Sequence, residues 1–314
     1  MGTCGSILEP SEAGLPQFWL PLVAWYPRFM KKLIIGCGYL GQRVANAWLT
    51  KQDEVWALTR SPERAETWLK AGIRPVLGDV NDPNVLADFR EPQIDTLVYA
   101  VGWDRSSGKS QREVYVAGLE NVLRAIGSRV RRLIYISSTS VYGQDDGSVV
   151  DEDSPCEPLA ENGQVCLEAE RVLRRACPQA NILRLAGIYG PGRLVARVEA
   201  LRAGTPLTGN PEAWLNMIHV DDAVQAVQAC EQRGPLEATY LVADDEPLPR
   251  SAFYAAVCRR VGAPAPTFAP DSTSPRGNKT MNKRCSNSRL HTELRVELLY
   301  PTIEQGLDAV LPRT

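Results

Sequence analysis

"KKLIIGCGYLGQ", residues 31 to 42, is an apolar run that breaks on glycine and resumes with helical spacing. Lys31 to Ile35 reads as a short buried strand. Beyond it, Leu40, Val44 and Trp48, with Ala45 and Leu49 beside them, recur at the interval that lines one stripe of a helix. Gly36, Gly38 and Gly41 stand between the two as G-x-G-x-x-G. In a strand-to-helix turn the first glycine makes the tight bend, the second lets the backbone approach a diphosphate, and the third lets helix and strand pack closely. The first backbone N–H groups of the helix, at Tyr39 and Leu40, would then face the anion. Alone the pattern is weak evidence, so its weight depends on the segments carboxy-terminal to it.

Those segments alternate between strand and helix. "EVWALTR" (54–60) and "RPVLGDV" (74–80) read as strands around the helical "SPERAETWLKAG", with Ser61 as cap and Pro62 at the first helical position. "DTLVYAVG" (95–102) and "RRLIYISS" (131–138) flank a long helix with a core stripe of Tyr115, Leu119, Val122 and Ile126. "NILRLAGIYG" (181–190) is a sixth strand, and "ATYLVAD" (238–244) a later one. In "MIHVDDAVQAVQACEQ", Asp221 or Asp222 is expected to cap a helix carrying Ala223, Val227 and Cys230. Apolar strands in alternation with helices indicate an α/β protein with a doubly wound parallel sheet. After Gly190 the pattern loosens. The expected division is a nucleotide-binding half over 30–189 and about 216–245, with a smaller lobe from about 190–215 and 246–314.

Bulk properties narrow the function. The chain has 314 residues, 44% hydrophobic and 23% charged, with a formal net charge of -2, so it is long enough for a large core and too neutral for a nucleic-acid partner. Its 8 Cys form no C-x-x-C pair and it has only 2 His, so no metal site is expected. Reduced thiols suit a cytoplasmic protein. Residues 1–29, with Pro10, Pro16, Pro21 and Pro27, read as an extension outside the fold, or as sequence upstream of a start at Met30. Their "FWLPLVAWY" (18–26) is too short to span a bilayer and is interrupted by Pro21, so neither a membrane partner nor a signal peptide is expected.

The end of the second strand selects the cofactor: an acid there binds a ribose 2′-OH, whereas a cation accommodates a 2′-phosphate. Here Thr59 is followed by Arg60, with no acid before Glu63, which favours NADP over NAD. Asp79 and Val80 after the third strand, and Ala100, Val101 and Gly102 after the fourth, are further cofactor candidates at the carboxyl edge of the sheet.

With "YISSTSVYG" (135–143), "LRLAGIYGPGR" (183–193) and "IHVDDAV" (218–224) in order behind the glycine turn, the chain resembles the extended short-chain dehydrogenase/reductases, the superfamily of NAD-dependent sugar-nucleotide epimerases and dehydratases. The resemblance covers about residues 31 to 312. It implies a Rossmann domain, a smaller carboxy-terminal substrate lobe and hydride transfer through a dinucleotide. It puts the family's catalytic Ser on Ser138, with Ser137 beside the cofactor, and makes Tyr142, Arg193 and His219 substrate-binding candidates. Matching "PLAENGQVCLEAE" (158–170) to the family's Tyr-x-x-x-Lys helix puts Asn162 on the Tyr and Cys166 on the Lys, both toward the nicotinamide ribose. Asn cannot titrate, so the family's Tyr-Lys proton relay is missing. The function implied is an NADP-dependent oxidoreductase or epimerase/dehydratase-like enzyme with a non-standard active site. The alternative is a non-catalytic NADP-binding sensor or scaffold. The substrate implied is a small molecule, a nucleotide-sugar or another phosphorylated or carboxylated compound, handled by a monomer or homodimer.

Overall fold

Successive side chains of a strand leave on opposite faces, and here both faces are apolar. In β1 (Lys31–Ile35), Leu33 and Ile35 join one buried cluster while Ile34 joins another. The computed structural model describes residues 1–2, 29–269 and 281–311. The expected extension therefore lies almost wholly outside the described residues, as does the "FWLPLVAWY" stretch.

The other strands are β2 (Glu54–Thr59), β3 (Arg74–Leu77), β4 (Ile94–Tyr99), β5 (Val130–Ser138), β6 (Val149–Val150), β7 (Asn181–Leu185), β8 (Gly187–Tyr189), β9 (Trp214–Leu215), β10 (Met217–His219), β11 (Thr239–Val242), β12 (Leu248–Pro249) and β13 (Arg284–Cys285). The helices are α1 (Tyr39–Thr50), α2 (Pro62–Lys70), α3 (Gly118–Ile126), α4 (Glu161–Ala176), α5 (Val195–Arg202), α6 (Val220–Arg233), α7 (Arg250–Val261), α8 (Ser288–Thr292) and α9 (Ile303–Val310). Seven strands form one parallel sheet in the order β11-β7-β5-β4-β1-β2-β3. The order reverses between β1 and β4, the crevice where open α/β sheets bind ligands. This is the doubly wound Rossmann architecture.

One face is covered by α1, through Val44, Ala45 and Trp48, and by α6, through Ala223, Val227 and Cys230. The other is covered by α3, through Leu119, Val122 and Ile126, and by α4, through Val165, Ala169 and Leu173. A third core, with Tyr189, Val198, Leu201, Phe253, Val257, Ile303 and Leu307, holds α5, α7 and α9 together. Cys285, Leu290, Leu294 and Val296 pack instead with the α1 and α6 face, and β13 pairs with β6, so part of the carboxy-terminal segment belongs to the sheet's own layers. Among the described residues no helix is long and apolar enough to cross a membrane.

Two details differ from the pattern-based expectation. The apolar run 181–190 is two strands, because the chain leaves the sheet at Ala186 and β8 pairs with β10. The cap of α6 is neither Asp221 nor Asp222. His219 holds that position, its Nδ1 accepting from the Asp221 N–H at 3.3 Å, while the Asp222 carboxylate accepts from the backbone of Leu299 and Tyr300. Ser61, in contrast, does cap α2 by accepting from the Arg64 N–H at 3.1 Å.

Candidate functional site

A cavity of about 510 Å³ opens at the carboxyl ends of β1, β2, β4 and β5. Gly36, Gly38, Tyr39 and Leu40 line it from the first turn, Thr59 and Arg60 from the second strand, Asp79 and Val80 from the third. Ala100, Val101, Gly102, Ser137, Ser138, Cys166 and Arg193 complete the candidates that the fold brings together there. Gly36 has φ +94°, and a Cβ on it would lie 2.4 Å from the backbone of Ala100 and Val101. Only glycine lets β1 and β4 approach so closely at the crevice. A Cβ on Gly38 would meet nothing within 4 Å, leaving open space before the N-terminus of the 12-residue α1. Gly41 faces away from the cavity; a Cβ there would lie 2.5 Å from the Gly36 carbonyl oxygen, so it serves helix-to-strand packing. Bend, open approach and close packing are the features a dinucleotide diphosphate needs.

At the far end, Thr59 is buried and its hydroxyl accepts from the Ser61 N–H at 3.1 Å, which ties down the turn. Arg60 is half exposed and stands 3.7 Å from both Asp79 and Asp104. That separation is Coulombic and beyond hydrogen-bond length. Arg64 also lines the cavity, a residue that sequence reasoning misses although it follows Arg60 by four. Asp79 accepts from both the backbone and the side chain of Asn81 at 2.9 Å, so its orientation is fixed from behind.

At the opposite end the two adjacent serines differ. Ser137 donates to the buried Glu170 carboxylate at 2.5 Å. Ser138 caps a short turn, its oxygen accepting from the Ser140 N–H at 3.1 Å, and among the described residues its own proton has no acceptor. The Cys166 thiol is buried, and burial pushes its pKa up, so it stays a neutral thiol at pH 7. Asn162, one turn earlier, is exposed and is not a lining residue, so the two positions do not converge on the cavity as expected.

Tyr115 meets expectation only in part: its ring packs against both cores, yet it also borders the cavity. Its spacing puts it on the core stripe ahead of Leu119, but a turn of π-helix over Glu113–Ala117 shifts the phase by a residue. The phenol is half-buried, lines the cavity, and accepts from the Trp103 N–H at 3.2 Å. Tyr135 also reaches the cavity but is buried against Tyr99, ring centroids 5.6 Å apart, and burial raises its pKa.

Tyr142 and His219 are corrected from substrate-facing to internal. Tyr142 is fully buried; its hydroxyl accepts from Arg184 at 2.8 Å and its carbonyl from the Lys283 ammonium at 2.9 Å. The His219 ring is buried between Tyr189 and Tyr300, centroids 5.3 and 4.0 Å away, and burial holds its pKa below the ordinary value. Neutral imidazole then serves as cap, not as a proton-transfer group. Arg193 remains exposed at the cleft, its guanidinium 4.6 Å from the Tyr39 ring centre. Among the described residues no group of three or more His, Cys, Asp or Glu could hold a metal ion.

A parallel sheet that reverses order at a glycine turn, with the cavity at that point, defines a dinucleotide-binding α/β protein. Residues 33–243 match the NAD dependent epimerase/dehydratase family, and the chain belongs to that family. Protein YeeZ of Escherichia coli K12 is 30% identical over 278 residues, 87% of this chain and 97% of the relative. The structure of a functionally unknown conserved protein from Silicibacter pomeroyi superposes with a TM-score of 0.74 at 29% identity, covering 90% of this chain and 98% of the other. MoeE5 in complex with UDP-glucose and NAD shares the fold at 23% identity, with a TM-score of 0.73 and 89% and 96% of the two chains covered.

Proposed function

We propose that this chain is an NADP(H)-preferring enzyme that reduces or oxidises a small molecule without the family's Tyr-Lys relay. The observation that carries the cofactor preference is the end of β2. Two guanidinium groups, Arg60 and Arg64, line the cavity there, and no acid ends the strand. Among the described residues neither side chain donates a hydrogen bond, so their donors are free for a 2′-phosphate, which would outcompete the looser contacts of Arg60 with Asp79 and Asp104. Charge-assisted contacts of this kind are worth about 1.5–3 kcal/mol each, or about ten- to a hundredfold in affinity. NADPH should therefore bind at least about tenfold more tightly than NADH, and Arg60→Asp should close or reverse the gap. Titration of nicotinamide fluorescence measures both, and equal affinities in the unaltered protein would refute the preference.

The bound dinucleotide supplies hydride transfer. The chain's own part is to orient the substrate oxygen and exchange a proton with it. Ser138 has an uncommitted hydroxyl proton and suits polarisation of that oxygen. Tyr115 is the phenol we assign to the proton: it lines the cavity, and the hydrogen bond it accepts from the Trp103 N–H holds its oxygen in place there. A phosphorylated or carboxylated substrate, such as a nucleotide-sugar, suits the family. Tyr115→Phe should keep NADPH affinity and lose about 100-fold or more in turnover of any carbonyl probe reduced by the unaltered protein. Undiminished turnover in that variant would remove Tyr115 from the mechanism. A protein that binds NADPH and NADP⁺ yet turns over no probe would favour the sensor reading.

A further inference from the structure

Gly190, Pro191, Gly192 and Arg193 are a turn written into the sequence. Proline suits its second position and glycine its third, where φ is positive; Gly192 has φ +80° and the Arg193 N–H closes the turn on the Gly190 carbonyl at 3.1 Å. The turn is docked on the first residue of α1. The Tyr39 hydroxyl donates to the Pro191 carbonyl at 3.1 Å, and a Cβ on Gly190 would lie 2.6 Å from that same hydroxyl. Arg193 then lies over the Tyr39 ring, immediately after Gly38 in the glycine turn.

Two guanidinium groups share that ring. Arg43, 4.2 Å from the ring centre, is committed: it donates to the Tyr39 carbonyl at 2.9 Å and stands 3.9 Å from the Asp221 carboxylate. Arg193 has neither kind of partner among the described residues. Its charge faces the cavity beside the open space before the N-terminus of α1, where the helix dipole is positive, while the Asp221 carboxylate that also acts on Tyr39 stands beside Arg43. An anion is the missing partner.

We infer that Arg193 is a clamp on the cofactor's diphosphate, closing from the β8–α5 loop over the glycine turn, and is not a substrate-binding residue. The inference rests on the proposed dinucleotide function. The loop that carries Arg193 leads directly into α5 and the third core, so bound cofactor would also tie the two halves of the molecule together. Stacking on Tyr39 pre-orients the planar guanidinium, which lysine cannot reproduce.

The full chain should be titrated with NADPH, and 2′-phospho-ADP-ribose and adenosine 2′-monophosphate measured by competition. Arg193→Ala should weaken NADPH and 2′-phospho-ADP-ribose by about ten- to a hundredfold, and adenosine 2′-monophosphate, which lacks the diphosphate, by less than about twofold. Arg193→Lys should recover part of the loss. The salt dependence of NADPH binding should become shallower in Arg193→Ala, since one ionic contact is gone. Unchanged affinity for all three ligands would overturn the clamp and return Arg193 to the substrate. Equal weakening of all three would overturn it too, by showing a structural role. If the unaltered protein bound neither NADPH nor NADH, the dinucleotide function itself would fall, an outcome distinct from failure of the variant alone.

Discussion

Gly36→Ala should bind no measurable NADPH and should unfold at a markedly lower temperature than the unaltered protein. The added Cβ would stand 2.4 Å from the Ala100 carbonyl carbon and oxygen and from the Val101 nitrogen, all backbone atoms that cannot rotate away. Its φ of +94° adds strain for any residue with a side chain. To relieve the contact, the ends of β1 and β4 must separate where the cofactor enters. Overpacking and strain together place the cost at about 2–5 kcal/mol. Gly38→Ala is the internal comparison, because its Cβ meets nothing within 4 Å. It should keep the melting temperature nearly unchanged while losing affinity, since the methyl group occupies the space a diphosphate would use. Nicotinamide fluorescence and thermal unfolding read the two effects separately. Wild-type NADPH affinity in Gly36→Ala would mean that the cofactor lies elsewhere.

The sheet is legible in the sequence because its central strands, such as β1 and β4, are buried on both sides and therefore read as apolar runs, and because Gly36 and Gly41 have geometric duties no other residue performs. The Ser61 cap and Pro62 start of α2 are equally local, set by groups within one turn. What periodicity does not report is the phase and the neighbour. Tyr115 has the spacing of a core residue in an unbroken α-helix, but the wider turn rotates it into the cavity. "NILRLAGIYG" is mostly apolar on both sides of Ala186, and its polar residues, Asn181 and Arg184, both lie within β7, so nothing in its pattern marks the departure at Ala186. The chemistry of His219 suggests a substrate contact, while the fold uses its ring nitrogen as a cap. Arg64 lies within reach of inference, since a cation at the third position of the helix after β2 points back toward the strand end. Motif matching places Asn162 on the cavity, and the first turn of α4 leaves it in solvent.

Glu170→Ala should destabilise the protein by about 3–5 kcal/mol, the largest loss expected from one side chain behind the site. Its carboxylate accepts from Arg184 Nε at 3.1 Å and Nη2 at 2.8 Å, and from the Ser137 hydroxyl at 2.5 Å. Arg184 also donates to Tyr142, so one buried network joins α4 to β5, β7 and the turn after Ser138. Glu170 is 3% exposed and Arg184 8%, so water cannot replace a lost partner. Truncating the acid leaves a buried guanidinium unpaired, and that penalty, more than the pair's attraction, sets the size of the effect. Glu170→Met combined with Arg184→Met should therefore be much less damaging than Glu170→Ala, though Tyr142 and Ser137 would each lose a partner. Denaturant unfolding of the two single variants and the double gives the coupling. A double variant as unstable as the sum of its parts would show that the two groups act independently. The network also bears on chemistry, because Glu170 holds Ser137 and so fixes the strand end that presents Ser138. Glu170→Gln, which keeps the shape and loses the charge, should then disturb stability more than NADPH affinity, since the glycine turn and Arg60 lie on other strands.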